Sequence, residues 1–404
     1  MSSPFLAASK TLLTEFDEPA LVSAVQEARL EVGGEVSIAF VFASSHWQPH
    51  LDDLVEIIQI YGHAPHIVGC SADGLISTGQ EDENATGISL LFLNLPGAKI
   101  DITSLSNSEI AELASPLEWE QKTNVPRRTA TGWLSFANPA GFNGETWLHS
   151  WNAAYPNTPT FGGLASGSSR PENFFVFHNR PDSDTDAVLV HIGGSVRIAG
   201  VVSQGCRPIG QPYTITKAAD NVIFRIASKR AYEVLEEAFE SLPDDDQEQA
   251  RGNIFAGLAT SEYLADHRHG DFLVRNILGG DPDAGAIALS AFPRVGQTLQ
   301  FQLRDGDTAD EDLRYRTHKL RADLGTRPFA SLLFSCTGRG SPLFGFPNHD
   351  VGVIEDVFGP TPVAGFFCNG EIGPVGDMNF LHSYTASAAF FVENNPRQKP
   401  QPDI

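Results

Sequence analysis

Apolar runs that break abruptly into glycine-rich polar loops set the pattern of this chain. The clearest pair lies within residues 332–373. Leu332-Leu333-Phe334 gives way to Ser335-Cys336-Thr337-Gly338-Arg339-Gly340, and the run 363–368 gives way to Asn369-Gly370-Glu371-Ile372-Gly373. A short continuous apolar run of this kind reads as a buried strand. Glycine after it lets the backbone take φ > 0 or approach a ligand closely. An Arg on one loop and a Glu on the other give the strand ends both signs of charge, so the two loops are read as one ligand pocket.

The same grammar extends upstream. Residues 1–18 are weakly patterned and read as a short tail. Apolar positions 21, 22, 25, 28 and 32 predict a helix over 19–32. A strand over 36–43, a helix over 51–61 and a strand over 64–70 follow, the last breaking into Ser71-Ala72-Asp73-Gly74. Segments 87–95 and 98–105, separated by Pro96-Gly97, read as a β-hairpin. Further strands are expected at 132–137, 160–167, 174–178, 187–191 and 196–203, with a helix at 145–154. Beyond them come strands 212–216 and 222–226, a helix over 229–242, an antiparallel pair 279–290 with 297–304, and a helix over 313–324. The last third adds strands 329–334 and 363–367 with a helical segment near 351–358.

Three of these units align. Each has an aromatic strand, an intervening segment and a second strand entering Gly-x-x-x-x-Gly, at Gly69/Gly74, Gly162/Gly167 and Gly365/Gly370. Phe42 precedes Gly69 by 27 residues, Phe136 precedes Gly162 by 26, and Phe334 precedes Gly365 by 31. That is an internal repeat. Among 37 glycines the same spacing also occurs at Gly200/Gly205 and Gly280/Gly285. The fold class is therefore α/β, with mixed β-sheets flanked by helices and two related halves built from β-α-β-β repeats. The halves meet near Lys229.

Composition narrows the function. At 404 residues the chain exceeds one hydrophobic core, and two domains are expected. A formal charge of −23 argues against nucleic acid or an anionic membrane as partner. No signal peptide or membrane-length apolar run is present, so the chain reads as cytoplasmic. Four cysteines with no Cys-x-x-Cys exclude a disulfide scaffold and a Cys-based zinc ribbon. There is no P-loop, residues 163–167 place their serine one position late for a nucleophile elbow, and no Cys-x-x-Cys-His marks covalent haem. The acidic runs 243–248 and 305–312 read as solvated segments, the first as a loop or helix start and the second as a turn.

Arg339 can hold a carboxylate bidentately or pin its own loop through a salt bridge, Glu371 being one partner. Glu371 can take a ligand ammonium or cap backbone amides. Cys70, Cys336 and Cys368 end apolar runs and behave either as small hydrophobes or as nucleophiles. His382, His149, His267 and His269 are the candidate ligands for metal or haem.

Several segments resemble FIST domains. In the C-terminal half these are the Phe334–Gly340 loop with Leu343-Phe344-Gly345, and Pro362-Val363-Ala364-Gly365-Phe366-Phe367-Cys368-Asn369-Gly370-Glu371-Ile372. In the N-terminal half they are Ile67-Val68-Gly69-Cys70-Ser71-Ala72-Asp73-Gly74 and the segment 210–218. Leu381-His382-Ser383-Tyr384-Thr385 resembles the family's closing segment. One departure is that Asp73-Gly74-Leu75-Ile76 stands where Ala-Gly-Glu-Ile is expected, which displaces a family acid. The resemblance implies a FIST N-like domain at 34–228 and a FIST C-like domain at 229–392. These sit between an N-terminal tail and helix at 1–33 and a disordered tail at 393–404. It also implies sensing of a small ligand, amino acids being a common proposal, with output through a signalling partner protein. No kinase or cyclase segment lies outside the two halves. The expected ligand-binding set is Arg339, Gly340, Asn369, Gly370, Glu371, Cys336, Ser71, Asp73 and His382, with no catalysis, metal or cofactor. Two alternatives stay open: a haem-binding nitric oxide sensor, and a cysteine hydrolase or transferase using Cys336 or Cys70 with His382.

Overall fold

A computed structural model describes residues 5–167, 170–182, 184–261 and 270–394. The chain begins with β1 (Leu6–Leu12), α1 (Glu18–Val32), β2 (Ile38–Ser44), α2 (Leu51–Gly62), β3 (Ile67–Ala72), β4 (Leu75–Ser77), β5 (Gln80–Asp82) and β6 (Ile88–Asn94). Next are β7 (Ala98–Leu105), α3 (Asn107–Glu112), α4 (Pro116–Thr123), β8 (Trp133–Ala137), α5 (Gly144–Ala154), β9 (Thr160–Leu164), β10 (Val176–His178), β11 (Ala187–Gly194) and β12 (Val196–Gln204). A long antiparallel stretch follows: β13 (Cys206–Ala219), β14 (Val222–Ile226), β15 (Lys229–Arg230), α6 (Ala231–Glu240), α7 (Asp244–Ala250), β16 (Ile254–Ala259), β17 (Phe272–Asp281), β18 (Ala286–Leu289) and β19 (Thr298–Arg304). The chain closes with α8 (Gly306–Leu324), β20 (Ala330–Cys336), α9 (Ser341–Phe344), α10 (His349–Phe358), β21 (Val363–Cys368), β22 (Glu371–Val375), β23 (Met378–His382) and β24 (Thr385–Glu393). The α/β class with mixed sheets is the one expected.

Local chemistry fixes several helix starts. The Asp17 side chain accepts the Ala20 amide, with Pro19 in the first turn of α1. Ser115 and Glu118 form a capping box ahead of α4, and Asn143 caps α5 through the Thr146 amide.

Two compact units result. The first draws on the chain up to Val202, Leu313–Leu381 and the chain from Thr385; the second is Ser203–Asp312 with His382–Tyr384. These units cut across the two sequence halves, since both halves contribute repeats to the first unit.

Inside the first unit the internal repeat is real. Three helices, α2, α5 and α10, each join a parallel pair: β2 with β3, β8 with β9, and β20 with β21. The predicted glycines occupy one register position, Gly69 opposite Val41, Gly162 opposite Ser135, and Gly365 opposite Leu333. Each is the third residue of its strand rather than its C-terminal end. The reason is contact: a Cβ at Gly162 or Gly365 would lie 1.8 or 1.9 Å from the partner strand's carbonyl oxygen.

The three pairs also exchange strands in a closed cycle. After β3 the chain sends β4 to pair with β21, after β21 it sends β22 to β9, and after β9 it sends β10 to β3. At the centre Phe42, Phe136 and Phe334, the phenylalanines that mark the repeat, form a triangle. Their ring centroids are 5.8, 5.8 and 6.5 Å apart and none reaches solvent. Edge-to-face and tilted contacts of this kind add about 0.5–1.5 kcal/mol per pair beyond burial.

Four expectations fail here. The stretch read as a tail at 1–18 is not one over its described part, because Leu6–Leu12 forms an edge strand in register with β6. Segments 87–95 and 98–105 are not a hairpin: β6 pairs with β1 and β2, while β7 pairs with β11 in another sheet. Pro96-Gly97 turns a corner between sheets rather than folding one strand onto the next. The acidic 305–312 is mostly the first turns of α8, with Asp305 accepting the Thr308 amide at 2.8 Å. Residues 279–290 turn back on themselves between β17 and β18, and β19 pairs instead with β13 and β16.

The second unit is antiparallel. Its sheet runs β13-β19-β16-β17-β18-β14-β15, and an extra pairing of β13 with β14 closes it. Ala231, Val234 and Ala238 from α6 join its core, a helical stripe against Ile223, Ile226 and Leu289.

Candidate functional site

The three repeat turns meet and interlock. The Asp73 amide donates to Ser166 Oγ at 2.9 Å, Ser166 Oγ donates to the Phe367 carbonyl, and Asn369 Nδ2 donates to the Ala165 carbonyl at 3.1 Å. The Ser166 amide reaches Ser71 O at 3.0 Å, and Phe367 N–H reaches Gly74 O at 3.0 Å. The predicted residues Ser71, Asp73, Asn369 and Gly370 thus belong to one cluster at the C-terminal ends of the parallel strands. In open α/β sheets that end is where ligands bind.

Arg339 does not reach the surface as its glycine flanks imply. Its side chain is wholly buried, with Nε and Nη2 donating to the two oxygens of Asp350 at 2.8 Å each. Its guanidinium lies 5.2 Å over the Phe344 ring. Asp350 stands in the first turn of α10 and also accepts from Ser335 Oγ at 2.8 Å, with His349 Nδ1 2.9 Å from its other oxygen. Burial pushes the Asp350 carboxyl up, but Arg339 and His349 hold it well below the usual carboxylate range. The salt-bridge partner of Arg339 is therefore Asp350, and not Glu371. One nitrogen of the fork, Nη1, is buried without a hydrogen-bond acceptor among the described residues.

Two carboxyls complete this polar cluster. Glu81, on β5, accepts the Val351 amide of α10 at 2.8 Å. Burial, and then the Asp350 charge, push it up to about 8 against that amide and Arg339. Glu83 accepts the Ser341 amide at 2.7 Å, and its carboxylate occupies the space a Cβ at Gly340 would need. Neither acid is singled out in the sequence, where Gln80-Glu81-Asp82-Glu83 is a run of polar residues without a motif. The available signal was the helix start at Asn348-His349-Asp350, which needs acceptors for its free amides.

Glu371 is wholly buried. Oε2 accepts the Thr385 amide at 3.1 Å and Thr385 Oγ1 at 2.7 Å, and Oε1 lies 3.6 Å from Cys368 Sγ. Burial pushes its carboxyl up to about 7, with the Thr385 bonds opposing. Cys336 and Cys368 are register partners on β20 and β21. Burial raises the Cys70 and Cys368 thiols well above the usual value, so neither is a ready thiolate.

His382 ends β23, is buried, and belongs to the second unit, whereas the other expected site residues lie in the first. His267 and His269, and the tail from 395 onward, lie outside the described residues. Among the described residues no His, Cys, Asp and Glu group has the arrangement to hold a metal, and no helix is long and apolar enough to cross a membrane. In the second unit a concavity of about 650 Å³ is lined by Tyr232, Leu235, Phe239, Ile254 and Ile277.

Comparison with known proteins returns two family models that together span most of the chain, the FIST N domain over residues 37–229 and the FIST C domain over 231–374. The chain is 34% identical over 375 residues to uncharacterized protein Rv0628c of Mycobacterium tuberculosis, covering 93% of this chain and 96% of that one. It is 33% identical over 378 residues to uncharacterized protein Mb0898c of Mycobacterium bovis, with the same coverage. Among solved structures, cyanuric acid hydrolase from A. caulinodans aligns over 97% of this chain and 100% of its own, at 7% identity and a TM-score of 0.38. A likeness that weak carries no argument about fold or function.

Proposed function

Because the chain belongs to the FIST family, with both a FIST N and a FIST C domain, we propose that it senses a small ligand in signal transduction, without catalysis of its own. The ligand class is a small molecule with an acidic end, an amino acid or organic acid, and Arg339 receives that end. A signalling partner protein and a cytoplasmic setting belong to the same proposal.

One observation supports it above the others. Asp350 fixes the Arg339 guanidinium through two bonds, while Nη1 is buried with no acceptor among the described residues. A buried donor left unpaired costs about 1–3 kcal/mol. A carboxylate oxygen placed there would meet an oriented partner and remove that cost. Gly338 and Gly340 flank Arg339, and Gly340 holds φ at 69°; binding in this reading requires the loop to move, since Arg339 is wholly buried.

The test begins with thermal shift against the amino acids and small organic acids, since a ligand that binds only the native state raises Tm. The strongest hit is then titrated calorimetrically into the wild type, Arg339→Lys and Arg339→Ala. Loss of a charge-assisted contact weakens binding on the order of 10–100-fold, and Lys restores only part of it because it lacks the fork. Arg339→Lys keeps the positive charge that Asp350 needs, so it separates binding from folding. Equal affinities in all three proteins retire Arg339 as a binding residue.

A further inference from the structure

The thiols of Cys336 and Cys368 occupy paired positions on adjacent parallel strands. Register partners in a sheet project from the same face, and neighbouring strands lie about 4.8 Å apart. That backbone separation is within the Cα range of about 4.4–6.8 Å that a disulfide bridges. Glycine at 163 leaves the room for the Cys368 side chain, since a Cβ there would sit 2.9 Å from Sγ.

The two thiols are differently placed. Cys336 is the last residue of β20, keeps 8% of its surface and precedes the exposed Thr337. It lies within electrostatic reach of the Arg339 guanidinium, the kind of cationic neighbour found beside reactive cysteines. Cys368 has no exposed surface, and its Sγ is 3.3 Å from Ser335 O and 3.6 Å from Glu371 Oε1. Because Thr385 takes the other oxygen of Glu371, Oε1 is directed to the thiol.

We propose that Cys336 and Cys368 form a site of reversible oxidation, in which Cys336 reacts with hydrogen peroxide and Cys368 resolves the product as a disulfide. In the first step the Cys336 thiolate attacks one peroxide oxygen. The O–O bond breaks, Cys336 becomes a sulfenic acid, and the second oxygen leaves as water after taking a proton from solvent. In the second step Cys368 gives its proton to Glu371 Oε1 and attacks the Cys336 sulfur. The S–O bond breaks and the hydroxide leaves as water with a proton. Two thiols lose two electrons and one peroxide gains them. The Glu371 carboxyl, pushed up to about 7, is matched to such a proton transfer near neutrality. A thiol–disulfide exchange with a small reductant returns both cysteines to thiols.

The test treats the full chain with a small excess of hydrogen peroxide, quenches, unfolds and alkylates it, and maps the peptides. Two of the four thiols should become unreactive, with one 336–368 linked peptide that dithiothreitol abolishes. Cys368→Ser should leave Cys336 as a sulfenic acid captured by dimedone, and Cys336→Ser should abolish both signals. Glu371→Gln should leave sulfenic acid formation at the wild-type rate and slow disulfide closure on the order of 100-fold. Four reactive thiols after treatment, a linkage through Cys70 or Cys206, or unchanged oxidation in Cys336→Ser would each overturn the proposal.

Discussion

Arg339 and Asp350 meet through two parallel 2.8 Å hydrogen bonds, with at most 1% of either side chain exposed. The pair ties the loop after β20 to the first turn of α10. Breaking a buried pair leaves an uncompensated charge, which costs about 3–5 kcal/mol, whereas replacing both partners with apolar groups of similar volume is often neutral. Asp350→Ala should therefore lower unfolding stability by roughly that amount. Arg339→Met combined with Asp350→Leu should cost far less than the sum of the single changes. Urea denaturation at pH 7 checks both; a loss below about 1 kcal/mol in Asp350→Ala would mean water reaches Arg339.

Stability should also fall as pH rises above neutrality. Glu81 and Glu371 titrate at about 8 and about 7 in the folded chain, both because burial disfavours their charge. In the unfolded chain they ionise near about 4.3. Between those values the folded state binds more protons than the unfolded one, so their contribution is complete at low pH and is lost through the folded values. His191 and His178, lowered by burial, act oppositely, but only below about 6.5, where the unfolded chain takes up their protons. The urea midpoint should drop between pH 6.5 and 8.5, and Glu81→Gln should remove much of that drop. An unchanged slope in the variant would place Glu81 ionised in the folded protein at neutral pH.

The sequence carried the repeat because the repeat is local. A buried β-α-β unit needs an apolar strand, a helix and a glycine where two backbones approach, and all three leave marks at Phe42, Phe136 and Phe334 and their paired glycines. The exchange of β4, β22 and β10 left no such mark. Strands of three residues have no readable period, and their partners lie far away in the chain, as Leu75 does from Phe366. The same holds at the site. Gly338-Arg339-Gly340 looks like an open loop because nothing near it shows that Phe344 and Asp350 will cover it. Glu81 was invisible for the converse reason, since it stands in a polar run, Gln80–Glu83, with nothing nearby to show that α10 will be set against it.

Haem should not bind in the manner of an axially ligated sensor. An axial histidine must offer a ring nitrogen to iron. His382 is 1% exposed and already engaged with a neighbour, and His191 Nδ1 is 3.1 Å from Asp101. Protein expressed with haem supplementation should show no Soret band. A stoichiometric band that disappears in His382→Ala would reverse this and make the chain a haem protein.

The same substitution, Gly to Ala, should have opposite signs at two positions thirteen residues apart. Gly365 lies inside β21, and a Cβ there would come within 1.9 Å of Leu333 O, its register partner on β20. That oxygen belongs to a buried backbone and cannot swing aside as a side chain would. Relief requires the parallel pair to separate, which strains the sheet beside Phe334 and Phe366. Gly365→Ala should therefore cost more than the roughly 1–3 kcal/mol typical of overpacking. Gly352 lies inside α10, with no positive φ and with nothing within 4 Å of the point a Cβ would occupy. Its only effect on the helix is the backbone freedom it brings to the unfolded chain, worth about 0.5–1 kcal/mol against alanine. Gly352→Ala should raise stability by about that amount. Paired urea denaturation curves decide it: a stabilising Gly365→Ala would show that β20 and β21 can part at this register, and a destabilising Gly352→Ala would show that the space beside α10 is filled.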